Sequence, residues 1–333
     1  MQTDRPLLTI AIPTYNRSRD LQELLAVLAP QLDDQPAVEL LISDNASPDG
    51  TPEVIKGFVD GGLVCRVIRN EVNVGPDGNF LQCFEQARGK YVWIFSDDDM
   101  IPAGALKRIV ELISAGDYSL IYINAYIFEH HGEASRRVRA RAPQVFKSNV
   151  AFAAMVHVFF TFISGNIVNK DCVLGGRRDL SALVGTNLAQ LGWTYAALGT
   201  GGSHLYIHER LIGNRANNTG GYALCEIFGI NIRRITEERL EGSGVAKVIL
   251  NGTIMRFLPS HIYALRASGT SSAFFREEPH KVLRTAYGDN LRYWLFIYPI
   301  IFLPRLLARG WLFLGRVLNK ADKIVGNPLM RLS

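Results

Sequence analysis

Residues 91–99 read Tyr91-Val92-Trp93-Ile94-Phe95-Ser96-Asp97-Asp98-Asp99, an apolar run that ends in three consecutive acids. Carboxylates crowded at the tip of a buried strand repel one another and lose hydration, so a cation or hydrogen bonds must compensate them. On an extended segment, Asp97 and Asp99 point the same way, so they can share one hard divalent ion while Asp98 faces elsewhere. The stretch therefore predicts a metal site. The alternative is a solvated acidic turn before a helix that starts at Pro102.

The chain ahead of these acids alternates strand-like and helix-like segments. Short apolar runs predict strands, and leucines at i, i+3, i+4 and i+7 from Leu21 to Leu28 predict the first helix. Thr51-Pro52-Glu53 is typical of a second helix start. The predicted strands are residues 7–12, 38–42, 64–69 and 91–95, with helices after the first two and a third at about 78–88. This order predicts an α/β fold with a mostly parallel sheet and helices on both faces.

Polar clusters follow each predicted strand of this half. The ligands of such sheets gather outside the carboxyl ends of the strands, so one crevice can collect all the clusters. They are Tyr15-Asn16-Arg17, Asp44-Asn45, residues 73–79 and Asp97-Asp98-Asp99.

Four motifs, in order and spacing, resemble the family 2 glycosyltransferases. They cover about the first hundred residues and read Ile12-Pro13-Thr14-Tyr15-Asn16-Arg17, Ser43-Asp44-Asn45-Ala46-Ser47-Pro48-Asp49-Gly50-Thr51, Asn73-Val74-Gly75 and Asp97-Asp98-Asp99. Within that family, residues 73–79 and 91–99 look most like the abequosyltransferase branch, which adds deoxysugars to O-antigen repeat units. The resemblance implies a GT-A fold, a nucleotide-diphosphate sugar donor and a divalent metal, Mn²⁺ or Mg²⁺.

The resemblance also implies roles for individual residues. One group binds the donor and comprises Pro13, Thr14, Tyr15, Arg17, Asp44, Asn73, Gly75, Asp77, Asn79, Asp97 and Asp98. Asp97 and Asp99 form the DXD pair that faces ribose and metal, and Asp44 accepts a hydrogen bond from the base. These roles suit the chemistry, because a nucleobase needs an apolar wall and a few directed polar groups. The alternatives are core packing for Tyr15 and a turn-forming role for Asp44.

The catalytic base is where the sequence departs from the family. Relatives carry a carboxylate, often in a Glu-Asp pair, where this chain has residues 185–193, which contain no acid. Gln190 can orient a hydroxyl but cannot take its proton at neutral pH. The other candidates are His204, His208 and Glu209, on or beside a predicted strand at 205–212, then Asp98 or the leaving diphosphate. A solvent-facing role is the alternative for both histidines.

Two polar segments follow in the second half. The glycine-rich loop 214–222 resembles one that closes over the donor diphosphate in related enzymes, and the planar fork of Arg215 suits phosphate. A plain connector is the alternative. Residues 133–141 hold four arginines without apolar periodicity, which is typical of a solvated charge run and also of a phosphate-contacting loop.

The C-terminal region differs in composition from the rest. Residues 281–333 hold nine Lys or Arg and two Asp or Glu, so this tail contributes +7 and the remainder −2 to the net charge of +5. Residues 293–304 are intensely apolar, but Pro299 and Pro304 interrupt them and the run is too short to span a bilayer. A helix lying in the membrane interface is expected over about residues 291–320. The alternative is a helical pair packed on the catalytic domain.

Taken together, the sequence predicts two domains in 333 residues: a GT-A glycosyltransferase domain at 1–225 and a C-terminal helical region at 226–333. The first strand begins by residue 7, which leaves no room for a signal sequence, so a cytoplasmic location at the inner face of the cell membrane is expected. The expected partners are a nucleotide-sugar donor, a lipid-linked saccharide acceptor and an anionic membrane surface, with no nucleic acid.

The predicted function is inverting transfer of a sugar, with a 3,6-dideoxyhexose among those considered, in cell-surface polysaccharide or O-antigen synthesis. The alternative is an inactive nucleotide-sugar-binding or scaffolding protein of the same fold. A dinucleotide-dependent oxidoreductase is disfavoured, because no Gly-x-Gly-x-x-Gly follows the first strand.

Overall fold

One mixed sheet of eight strands organises the first part of the chain, in the order β3-β2-β1-β4-β7-β5-β8-β6. The computed structural model describes residues 5–128, 141–175, 179–216, 222–268 and 277–324. The strands are β1 (Leu8–Thr14), β2 (Val38–Asp44), β3 (Arg66–Arg69), β4 (Tyr91–Ile94), β5 (Leu120–Phe128), β6 (Gln144–Phe146), β7 (Asn166–Asn169) and β8 (His204–Arg215).

The strands of this sheet are parallel except at β6 and β7. β1, β2, β3 and β4 run in the same direction, as do β5 and β8, whereas β7 is antiparallel to β4 and β5, and β6 to β8. The predicted α/β class with a mostly parallel sheet is confirmed. Every side chain of β1 is buried, which is typical of a strand covered on both faces.

Helices connect and cover the strands. They are α1 (Ser18–Leu32), α2 (Thr51–Asp60), α3 (Gly75–Gln86), α4 (Ala105–Ser114), α5 (Asn149–Val156), α6 (Lys170–Leu174) and α7 (Gln190–Leu198), with 3-10 turns at His157–Thr161, Ile163–Gly165 and Ser181–Leu183. α1 packs against α2 and α4, whereas α3 packs against α7. The four leucines predicted to face the core from α1 are all buried. α3 begins earlier than the predicted residue 78, because Pro76 is accommodated in its first turn.

Helical segments make up the remainder of the chain. They are α8 (Ile232–Arg239), α9 (Gly244–Gly252), α10 (Leu258–Ser268), α11 (Pro279–Tyr287), α12 (Tyr298–Phe302) and α13 (Arg305–Ile324), with π-helical turns at Glu226–Asn231, Thr253–Phe257 and Tyr293–Ile297. No helix of the described residues is both long enough and apolar enough to cross a bilayer.

Residue contacts divide the chain into two compact units. The sheet unit comprises Met1–Ser148 and Phe160–Asn217, and the helical unit comprises Asn149–Phe159 and Asn218–Ser333. α5 therefore groups with the C-terminal helices, because it packs against α9. The domain boundary expected after residue 225 stays a prediction.

Candidate active site at the carboxyl ends of β1, β2 and β4

The three acids lie in a turn that follows β4. The Asp99 amide donates a hydrogen bond to the Ser96 carbonyl oxygen at 3.2 Å, so the chain is no longer extended there. Side chains in a turn do not alternate as they do in a strand. Asp97 and Asp98 consequently point to one common partner, and the expectation that Asp98 faces away from Asp97 is wrong.

That partner is Arg17, which follows β1. Its Nη1 donates to Asp97 Oδ1 at 2.9 Å and to Asp98 Oδ2 at 2.8 Å. The Ser96 hydroxyl donates to the other Asp98 oxygen at 2.6 Å. Burial raises the pKa of Asp97 to about 7, with the Asp98 charge adding to the shift and the guanidinium opposing it. Arg17 thus supplies part of the charge compensation that these acids need.

Asp99 has a different set of neighbours. Its Oδ1 accepts hydrogen bonds from Asn214 Nδ2 at 3.1 Å and from the Arg215 amide at 3.2 Å, both at the end of β8. Burial raises the pKa of Asp99 to about 7, and the neighbouring charge of Asp98 adds to the rise. The hydrogen bonds oppose this shift without cancelling it. A buried carboxylate that is compensated only in part favours a bound cation.

Arg215 is held over the same turn. Its Nε donates to the Asp98 carbonyl oxygen at 3.1 Å, and its Nη2 pairs with Glu23 at 2.8 Å and lies 3.5 Å from Asp20, both on α1. The guanidinium also lies 5.2 Å from the centre of the Phe128 ring. Two arginines, Arg17 and Arg215, therefore lie beside the acidic turn.

Asp44 ends β2, one strand from the acids across β1. Its side chain is buried; Oδ1 accepts the Ser47 amide hydrogen at 3.0 Å, and Oδ2 lies 3.4 Å from Arg69 Nε. Within the described residues Oδ2 has no hydrogen-bond donor. The hydrogen bond from the Ser47 amide to Oδ1 is the turn-forming role considered for Asp44. Oδ2 stays available as an acceptor oxygen at the end of the strand. Arg69, which the sequence analysis did not single out, reaches this position from the end of β3.

The end of β1 carries the other residues expected at the base and ribose. Pro13 and Thr14 are the last residues of β1 and are buried, whereas Tyr15 is 42% exposed. Core packing therefore does not account for Tyr15. Its ring is available as a wall for a ligand at the sheet edge.

The residues after β3 form a hydrogen-bonded network with the end of β2. Asn45 Nδ2 donates to Asn73 Oδ1 at 2.9 Å and to the Gly75 carbonyl oxygen at 3.2 Å. Asn79 accepts from the Ser43 hydroxyl at 2.6 Å and donates to the Ser43 carbonyl oxygen at 3.0 Å. The contacts of Asn73 and Asn79 thus fix the loops around the crevice.

Asp77 makes a separate contact that sequence spacing gave no means of finding. Its Oδ2 accepts amide hydrogens from Gly185 at 2.9 Å and Asn187 at 2.7 Å, and its Oδ1 accepts one from Ala189 at 3.3 Å. Gly185 and Asn187 have left-handed backbones, with φ of 91° and 58°. Asp77 therefore holds the turn that leads into α7, the segment in which the sequence analysis sought the catalytic base.

The candidate bases lie in three different places. Gln190 begins α7 and donates to the Thr161 carbonyl oxygen at 2.8 Å. Glu209 forms a bidentate pair with Arg108 of α4, with Nη2 to Oε1 at 2.9 Å. His204 is buried at the amino end of β8, whereas Arg215 at the other end contacts the acidic turn. Burial lowers the pKa of His204 to about 4. None of these contacts brings His204 or Glu209 to the acids.

Two segments singled out in the sequence lie wholly or partly outside the described residues. They are the arginine run, described only at Arg141, and the middle of the glycine-rich loop, residues 217–221.

Known proteins resemble this chain in sequence and in fold. The family model described as glycosyl transferase family 2 matches residues 9–171, which include β2 to β7, all of β1 after its first residue, and the acidic turn. Residues 9–171 are a family 2 glycosyltransferase domain. The resemblance in the four motifs is confirmed.

Curated relatives match parts of the chain. The abequosyltransferase RfbV of Salmonella typhimurium is 43% identical over 103 residues, which are 30% of each chain. The GalNAc(5)-diNAcBac-PP-undecaprenol beta-1,3-glucosyltransferase of Campylobacter jejuni is 26% identical over 50% of this chain and 54% of its own length. The matches thus span about a third to a half of these relatives. The first supports the likeness to the abequosyltransferase branch.

Solved structures match the chain over nearly its whole length. Staphylococcus aureus TarS 1–349 in complex with UDP-GlcNAc superimposes with a TM-score of 0.61 at 17% identity, covering 96% of this chain and 92% of TarS 1–349. The mannosyltransferase PcManGT from Pyrobaculum calidifontis, in complex with GDP-Man and Mn²⁺, gives 0.53 at 16% identity, covering 96% and 89%. The predicted GT-A fold is confirmed.

The donor set of the acidic turn fits a hard divalent ion that is shared with a ligand. Among the described residues, no three His, Cys, Asp or Glu side chains are arranged to hold a metal by themselves. Mg²⁺ is commonly bound through one or two carboxylates together with substrate phosphates. Asp97 and Asp99 are two buried carboxylates of raised pKa, so they suit the protein's share of such a site.

Proposed function

We propose that this protein transfers a sugar from a nucleoside-diphosphate donor to a lipid-linked saccharide during synthesis of a cell-surface polysaccharide or O-antigen. The observation that carries the proposal is the turn of three buried acids after β4, placed between Arg17 and Arg215 within a family 2 domain. At such a site the buried acids can bind a cation and the two arginines can bind the negative charge of a diphosphate.

The donor nucleoside would bind at the ends of β1 and β2. Tyr15 offers an exposed ring, and Asp44 Oδ2 offers an acceptor oxygen to a base N–H. The loop residues Asn73, Gly75 and Asn79 would border the ribose, while Asp77 acts from behind by holding the turn before α7. The diphosphate would then lie over residues 97–99.

Asp97 and Asp99 would hold Mn²⁺ or Mg²⁺, which neutralises charge on the departing diphosphate when it is bound. The residues of the chain do the rest. Arg215 would leave its ion-pair partners on α1 and contact the diphosphate. Arg17 would stay paired with Asp97 and Asp98. Fixed charges of this kind stabilise the leaving group in the transition state.

In the proposed reaction the acceptor hydroxyl oxygen forms a bond to the anomeric carbon, and the bond from that carbon to the diphosphate oxygen breaks, with inversion. The hydroxyl proton needs an acceptor, and residues 185–193 contain no acid. Asp77 cannot serve readily, because its oxygens already accept three amide hydrogens. Gln190 would orient the hydroxyl, and the proton would pass to Asp98 or to the leaving diphosphate.

The names of the relatives indicate the substrate class. One relative is named for abequosyl transfer and the other for a diphosphate-undecaprenol acceptor. We infer a deoxyhexose donor, with a 3,6-dideoxyhexose the first to test, and a saccharide carried on a lipid. Such an acceptor lies at a membrane and nucleotide sugars are made in the cytoplasm, so the protein would work at the inner face of the cell membrane.

A second candidate is donor binding without catalysis. The missing acid before α7 and the saturated contacts of Asp77 both favour it. It requires the same donor pocket, so binding alone does not separate the two functions.

The test is binding and hydrolysis of CDP-, UDP-, GDP- and dTDP-sugars, with Mn²⁺ and with chelator. We expect metal-dependent turnover of one donor and its loss in chelator. Full turnover in chelator would contradict the metal assignment. Tight binding of a donor, with no turnover in the presence of membranes that contain lipid-linked acceptors, would favour the binding protein.

A further inference from the structure

We propose that the outward face of α13 inserts into the interface of an anionic membrane. This proposal rests on the proposed function. It names the surface that would bring the enzyme to a lipid-linked acceptor. The surface, called here the α13 face, comprises Leu306, Leu307, Phe313, Leu314, Val317 and Leu318 together with a row of basic residues.

One side of α13 packs within the helical unit. Ala308 and Leu312 are buried, Gly315 lies where a Cβ would meet the Phe296 ring at 3.5 Å, and Asn319 Nδ2 donates to the Met255 carbonyl oxygen at 2.7 Å. Successive helix residues are rotated by about 100°, so these four positions form one stripe. The rest of the helix surface points away from that stripe.

The side away from the packed stripe is apolar and exposed. Leu306 is 83% and Phe313 69% exposed, and the other four apolar residues of the face are each exposed by more than two fifths. Exposed apolar residues this dense on one helix mark an interaction surface. Leu291, Leu295 and Phe302, from the segments just before α13, are also exposed.

The basic residues of α13 lie along one flank of this face. At about 100° per residue, Arg305, Arg309, Arg316 and Lys320 fall in a row between the packed stripe and Leu306, Phe313 and Val317. Basic side chains at the edge of an apolar face reach lipid headgroups while the apolar residues enter the acyl boundary. The basic row would therefore stay at the headgroups and limit how deeply the helix enters the membrane.

Charge favours an anionic bilayer over a second copy of the chain. Residues 290–321 contain five Lys or Arg and no Asp or Glu. Two α13 faces brought together in an antiparallel symmetric dimer would place the basic rows of both copies on the same side, close to each other, which is unfavourable at short range. An anionic headgroup layer instead complements each row, and its attraction adds to apolar burial.

The indole rings provide a natural probe. Of the four tryptophans, Trp93 and Trp193 are buried in the sheet unit, whereas Trp294 and Trp311 in the helical unit are more than a third exposed. Trp311 Nε1 donates to the Leu295 carbonyl oxygen at 2.7 Å, which fixes its ring beside the face. Aromatic residues with one hydrogen-bonded polar atom suit the membrane interface.

The test is flotation of the full chain with vesicles of phosphatidylcholine, with or without about 30 mol% phosphatidylglycerol to supply anionic headgroups. Three double variants are compared with the unchanged protein. The apolar variant combines Leu306→Ser and Phe313→Ser, and the charge variant combines Arg309→Gln and Lys320→Gln. The matched control combines Val64→Ser and Leu174→Ser on the sheet unit, where both residues are exposed. All six positions are exposed or half-buried, so the variants should fold, and circular dichroism checks this.

The expected result is binding to the anionic vesicles, with a fall of at least about tenfold in the partition coefficient for the apolar variant. The charge variant should lose about fivefold for each charge removed, on anionic vesicles alone. The control should bind as the unchanged protein does. Quenching of Trp294 and Trp311 by brominated lipid should accompany binding.

Equal vesicle binding by the apolar variant and the control would overturn the proposal. The proposal would also be overturned if the unchanged protein bound neither kind of vesicle. A dimer in solution that the apolar variant dissociates, without vesicle binding, would assign the face to a second copy instead. Vesicle binding does not use the donor site. Absence of vesicle binding by the unchanged protein, with donor turnover present, would therefore contradict this proposal alone. Vesicle binding without turnover of any donor would contradict only the proposed function.

Discussion

Two regions of the sheet unit that hold buried carboxylates, the turn after β4 and the junction between α3 and α7, surround them with different partners. At the junction, backbone amides of residues 185–189 surround Asp77. After β4, Asp99 accepts hydrogen bonds from the Asn214 side-chain amide, the Arg215 backbone amide and the Ser164 hydroxyl, with Asp98 as an adjacent charge. Burial raises the pKa of Asp77 as well, and its backbone hydrogen bonds oppose that rise. The two regions therefore differ in the partners of the carboxylate: backbone amides that hold a turn at the junction, and a neighbouring acid with side-chain donors after β4.

The largest expected effect is on turnover when Asp99 is changed to Asn. The amide keeps the size of the side chain and an oxygen for Asn214 and the Arg215 amide but removes the charge that would hold a metal. We expect turnover of the preferred donor to fall about a thousandfold or more. The thermal midpoint without metal should stay the same or rise, because a buried charge is lost. Turnover close to that of the unchanged protein would show that Asp99, like Asp77, serves the structure and not the ligand.

Asp77→Asn should have the opposite profile, with its main effect on stability. The new amide group would face backbone N–H donors that the carboxylate accepts now, so the free energy of unfolding should fall by about 2–3 kcal/mol. Denaturant unfolding measures this loss. Asp60→Asn, at an exposed carboxylate, is the matched control and should change stability by less than about 0.5 kcal/mol. A fall in turnover with unchanged stability would place Asp77 in the chemistry instead.

His204 extends the comparison to the amino end of β8. Burial lowers the pKa of His204 to about 4 in the folded protein, below its ordinary value of 6.5. A depressed pKa means that the unfolded chain binds the proton first, so stability is full above pH 6.5 and falls as pH drops towards 4. This residue should account for about 2 kcal/mol of the loss between those limits.

The measurement for His204 is urea unfolding at a series of pH values for the unchanged protein and for His204→Gln. The variant should show a shallower decline below pH 6.5, and its turnover at neutral pH should persist. Loss of turnover without loss of stability would restore His204 as a base candidate.

The smallest effect is expected for Glu23→Gln. Glu23 pairs with Arg215 at 2.8 Å, and both side chains are about a quarter exposed, so the pair competes only weakly with a diphosphate for the guanidinium. Donor binding should tighten by about two- to fivefold, measured by calorimetry. Arg19→Gln, which removes another ion-pair partner of Glu23, is the control and should leave donor affinity nearly unchanged. Weaker donor binding in Glu23→Gln would show that the pair positions Arg215 for the ligand.

The sequence anticipated the elements of the first half because their signals are local. Leucine spacing in α1 and proline in the first turn of α2 are properties of adjacent residues. The start of α3 was predicted too late, because Pro76 was not recognised as part of its first turn. Residue spacing alone could not give the contacts of Asp97 and Asp98, because a turn replaced the assumed strand. The Glu209 pair with Arg108 likewise joins α4 and β8 across a long stretch of chain.

Sequence by itself determined the α/β order, the family 2 motifs and the basic, apolar character of residues 291–320, because each depends on the composition, periodicity or spacing of nearby residues. Tertiary structure alone decided that Asp77 holds the turn before α7, that Arg17 joins Asp97 to Asp98, and that the apolar residues of α13 stay exposed. The physical reason is that hydrogen-bond partners and burial are set by segments distant in the chain, which meet only when the strands and helices pack.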